Sequence, residues 1–140
     1  MLPNAPDLGL LLVRTDYSDD GAWNDAVSAA TTAYESDDFE RMGARLQPVE
    51  SLELSNLGPG ELAALPRAGH LSLIAVADAQ TMLDQTVLFV DLNDFAGQAG
   101  RTFRSIPSEV EPIVANLSLA NMDFAEFEDR VDPDGVFRGF

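Results

Sequence analysis

The chain has 140 residues, enough for one domain with a real core, and no cysteine, which removes disulfides, thiolate nucleophiles and cysteine-based metal sites together. Aspartate and glutamate number 24 against 8 basic residues, all of them arginine, for a net charge of −16. Such a field repels phosphate backbones and anionic membranes, so nucleic-acid and membrane-surface functions are excluded, and it favours a protein partner with a basic surface. No apolar run approaches the roughly 20 residues needed to cross a bilayer, and no basic leader precedes an apolar segment, so a soluble cytoplasmic protein is expected.

Met1–Asp7 carries two prolines and reads as a lead-in to Leu8–Val13, a strand apolar on both faces. Ser18, Asp19 and Asp20 offer N-caps for a helix running to about Tyr34. Trp23, Ala26, Val27, Ala30 and Tyr34 share one face of it. Glu35–Glu40 is acidic and breaks the pattern. Ala44–Leu54 alternates loosely, and Pro48 demotes it to an edge strand or a bulge. Ser55–Pro66 predicts a turn and a short helix with Pro59 near its first position.

The chain is organised around Leu71–Asp94. Its two apolar runs, Leu71–Ala77 and Val87–Leu92, fit strands buried on both faces. Between them, Asp78 is placed to cap one or two helical turns. The connection is short for a parallel crossover; a parallel pair is favoured, with a non-adjacent pair as the alternative. Arg101–Ile106 alternates and forms an antiparallel hairpin with Val87–Leu92. Ser108 and Glu111 form a capping-box pattern before the apolar face Val110, Ile113, Val114 and Leu117. Asn121 is positioned to cap a last helix carrying Phe124, Phe127 and Val131. Asp132–Gly135 is a turn, and the two phenylalanines of Val136–Phe140 predict a terminus docked on the core. The expected fold is α/β, a single domain over residues 1–140 with a mixed sheet of about five strands and helices on both faces.

Three constellations could carry function. The first is Asp16, Asp78 and Asp91, one at each strand end. If their strands are parallel neighbours, the carboxylates gather where open sheets bind ligands and could hold a divalent metal for an enzyme. The second is Arg14, Arg101 and Arg104, an anion-binding set in a small-ligand module, or else ion-pair partners such as Arg101 and Arg104 with Asp91 and Asp94. The third is an acidic surface of Asp19, Asp20, Asp37, Asp38, Glu40, Glu126, Glu128 and Asp129, suited to a basic protein. His70, the single histidine, reads as a loop residue. No nucleotide-binding, zinc-protease or serine-hydrolase motif occurs, and no cofactor is expected. The leading expectation is a non-enzymatic acidic binding module, such as an immunity or inhibitor protein.

The segments FRSIPSEV (residues 103–110), NLSLANMDFAEFEDRVDPDGVFRGF (116–140) and LLLVRTDYSDDGAW (10–23) resemble a family of small acidic actinobacterial proteins known as a domain of unknown function. The likeness covers most of the chain and is weakest across Glu35–Ala68. It implies no catalytic residue, cofactor or substrate.

Overall fold

A computed structural model describes residues 2–3, 5, 9–32, 45–66, 71, 73–92, 100–118 and 122–139. The acidic stretch 35–40, His70, Asn121, the connection 93–99 and Phe140 lie outside them.

Six strands form one sheet: β1 (Leu10–Arg14), β2 (Leu46–Val49), β3 (Leu73–Ala77), β4 (Val87–Asp91), β5 (Thr102–Ser105) and β6 (Val136–Phe137). Their order across the sheet is β2-β1-β3-β4-β5-β6. The sixth strand, beyond the five expected, is the docked terminus: Phe137 is 1 % exposed and pairs in register with Ser105. β2 lies at the edge, as Pro48 requires, since an interior strand needs the N–H that proline lacks.

β1 pairs in parallel with β2 and β3, and β5 with β6, whereas β4 is antiparallel to both its neighbours. The parallel pairing favoured for β3 and β4 is therefore corrected to an adjacent antiparallel pair. The reason is local. The connecting helix α3 (Ala79–Asp84) ends on Gln85 in the left-handed region (φ 65°), which turns the chain straight back. There is too little chain to climb over the sheet and return in parallel.

The helix α1 (Asp20–Thr31) joins β1 to β2, and α2 (Pro59–Ala63) lies between β2 and β3. β1 has its parallel neighbours on opposite sides, so two right-handed crossovers must use opposite faces. The core follows suit. One face packs Leu10, Leu12, Ala75, Phe89 and Phe103 against Trp23, Ala30 and the helices α4 (Val110–Ser118) and α5 (Phe124–Glu128). The other packs Leu11, Val13, Ile74, Val76 and Val90 against Leu54 and Leu62. Phe103 joins the layers of the first face, with its ring 4.8–5.8 Å from those of Phe89, Phe124 and Phe127.

Two caps differ from expectation. Pro107–Glu109 is a 3-10 turn entered from Ile106, and α4 begins at Val110, so Ser108 lies inside the helical run rather than at its cap. The fixed φ of proline starts that turn one residue early. For α5 the N-cap is Asp123, whose N–H donates to Glu126 Oε2 at 2.8 Å.

Candidate functional site

Five of the six strands run the same way, so their carboxyl ends share one edge of the sheet. That edge collects Thr15 and Asp16 after β1, Glu50 after β2, Asp78 after β3 and Arg138 after β6, with Thr86 leading into β4. Between β1 and β3 the chain leaves in opposite directions, the topological switch point where open α/β sheets form a crevice. A cavity of about 250 Å³ lies there, lined by Thr15, Asp16, Asn56, Leu57, Asp78, Ala79 and Gln80.

Arg14 ends β1 and turns its guanidinium under the first turn of α1, where it is 2 % exposed. Nε donates to the Asp16 carbonyl, NH1 to Glu50 and NH2 to Asp20, at 2.7–3.0 Å. The Tyr17 and Trp23 rings lie 4.4 and 5.3 Å from it. Burial alone would lower its pKa, but the Asp20 and Glu50 carboxylates outweigh that and raise it. Asp19 caps α1 by accepting from the Ala22 N–H, so Asp20 is left for the arginine.

Arg104 clamps Asp78 with both terminal nitrogens, at 2.6 and 3.0 Å, and also donates to Thr86 Oγ1. Register explains the meeting: Arg104 faces Leu88, and Leu88 faces Val76, two residues before Asp78. Asp78 caps α3 through the Thr81 N–H at 3.1 Å. Its burial would raise the carboxyl pKa, yet Arg104 and then Thr81 pull it below the ordinary value. At the far end of α3, Asp84 accepts from the Thr86 N–H and hydroxyl and from Gln80. Burial again opposes these bonds and again loses, so the Asp84 carboxyl is also lowered.

The three strand-end aspartates do not gather. Asp16 and Asp78 line one crevice, but β4 runs backwards and Asp91 stands opposite Leu73. Five residues of extended strand separate that position from Asp78, about 16 Å. Among the described residues, no group of three or more metal-ligating side chains forms. Asp91 instead pairs with Arg101 at 3.1 Å, the cross-hairpin pair expected, and Arg101 also reaches Glu128 at 3.4 Å.

The arginine set is divided in the same way, with Arg14 and Arg104 at the carboxyl end and Arg101 at the other. Each already holds a carboxylate. Arg138 holds two, Asp132 and Asp134. The acidic set also splits. Asp19 caps and Asp20 begins α1 at the carboxyl end, whereas Glu126 and Glu128 belong to α5 and Asp129 follows it, tied through Glu128 to the opposite end. Asp37, Asp38 and Glu40 lie outside the described residues.

A second cavity, about 260 Å³, opens between α1 and α3, lined by Ala22, Asp25, Met82, Leu83, Asp84 and Gln85. No motif announced it. The one available signal was Leu83, an apolar residue on a helix too short to bury more than one side.

The chain belongs to the family described as a domain of unknown function, DUF6924, whose model matches residues 9–140. No curated protein and no solved structure matches it.

Proposed function

We propose that this chain is a non-enzymatic, acidic protein-binding module of the immunity or inhibitor kind, masking a basic surface on a partner protein in the cytoplasm. The observation that carries this reading is how its arginines are used. Arg14, Arg101, Arg104 and Arg138 are each held in ion pairs within the chain, while the side-chain carboxylates of Asp16, Asp19 and Asp25 at the carboxyl end take no arginine among the described residues. Four of the eight arginines are paired within the chain while unpaired carboxylates are displayed at the carboxyl end, an arrangement that steers a cationic partner. A small anionic ligand at Arg14, Arg101 or Arg104 would first have to displace a bound carboxylate. A divalent metal at Asp78 would compete with a guanidinium holding both of its oxygens.

The test is affinity capture on the immobilised chain from a lysate of its native organism at low ionic strength, followed by a salt step. One or a few basic proteins released by salt, and rebinding when purified, is the expected result. An eluate empty of basic proteins sinks the reading.

A further inference from the structure

We infer that the cleft between α1 and α3 seats a basic segment of the partner protein: an arginine or lysine lies with its aliphatic stem on Leu83 and Met82 and its cationic head between Asp25 and Asp84. This rests on the acidic binding reading and says where the partner docks. Among the described residues, Leu83 is the most exposed large apolar side chain, at 84 %, and Leu52 follows at 76 %. An exposed leucine by itself is ordinary. Leu83 differs because it stands on the rim of a cavity whose floor includes Met82, itself packed against the core, and Ala22.

Size and charge choose the occupant. The cleft, about 260 Å³, falls below the roughly 300 Å³ at which small-molecule pockets begin, but it suits one side chain presented by a protein. Both charged residues lining it are acidic. Asp84 is fixed in place, with one oxygen held by Thr86 and the other by Gln80, so it needs no ordering when a cation arrives. Asp25 projects from the exposed side of α1. An apolar anchor beside two carboxylates matches a long basic side chain, which is apolar along its stem and charged at its tip.

The test titrates the full-length, ¹⁵N-labelled chain at low salt with a short synthetic peptide alternating arginine and leucine. The same titration is run on Leu83→Ser and, as a control for any exposed leucine, Leu52→Ser. The expected result is amide shifts centred on Ala22, Asp25 and Met82–Gln85, with binding roughly tenfold weaker in Leu83→Ser and unchanged in Leu52→Ser. Salt-sensitive binding whose shifts centre elsewhere, or that both variants weaken equally, overturns the cleft and leaves the acidic reading standing. Failure of the unmodified chain to bind the peptide at all overturns the cleft, while a basic protein recovered in the capture experiment still upholds the broader reading; failure of both removes both.

Discussion

Arg14 shows how much one residue does in this protein. Its three nitrogens hold the end of β1, the first turn of α1 and the residue after β2, and two aromatic rings cover it. Lysine keeps the charge but offers a single point donor in place of the planar fork. Arg14→Lys therefore loses at least one charge-assisted bond and should destabilise the chain by about 1.5–3 kcal/mol, measured by urea unfolding. The near-wild-type stability that a surface ion pair would give is the contrary outcome. The sequence offered Arg14 only as a cation beside a strand end. Its partners Glu50 and Asp20 stand on different elements, and only the parallel placing of β2 beside β1 brings Glu50 within reach.

At the scale of an element, α3 and the turn that ends it set the direction of β4. Asp78 was legible as a cap because an aspartate after an apolar strand meets free N–H groups whatever lies beyond. The reversal at Gln85 was not legible, since glutamine has no special claim on positive φ. The Asp78 carboxyl is lowered below its ordinary 3.8. A lowered folded pKa means that its stabilisation is complete above the unfolded value and is lost as pH falls through the folded one. Stability owed to the Asp78–Arg104 clamp should thus be full near neutrality and fade below about pH 4. Asp78→Asn should cost stability at about pH 6 and progressively less toward about pH 2, with urea unfolding of both proteins as the measurement. A cost that does not vary with pH would show that the charge of this carboxylate adds nothing to stability.

For the whole molecule, a charge of −16 acts against the folded state and for a basic partner, so salt should move the two in opposite directions. Raising ionic strength from about 0.01 M to about 0.15 M shortens the screening length from about 30 Å to about 8 Å. The urea midpoint should rise over that range while capture of a basic partner falls. A midpoint that falls instead would mean that the internal arginine pairs outweigh the repulsion between unpaired carboxylates. This separates the two roles of charge in the fold: pairs that knit strands together, and an excess left facing outward.

The sequence alone determined the elements, because what marks them is local. Continuous apolar runs make β1, β3 and β4, the Trp23–Ala30 part of a 3.6-residue stripe makes α1, which ends at Thr31 before the expected Tyr34, Pro48 makes an edge, and Phe137 makes a docked end. It also determined the charge and what that charge repels. Tertiary structure decided which charges meet. One reversed strand sent Asp91 to the far end of the sheet, away from Asp16 and Asp78, and it paired Arg101 with Asp91 and Arg104 with Asp78. Strand direction depends on whether a connection turns back or crosses over; the shortness of this one is written in the sequence, but the turn back at Gln85 and the contact of α3 with α1 leave no period in it.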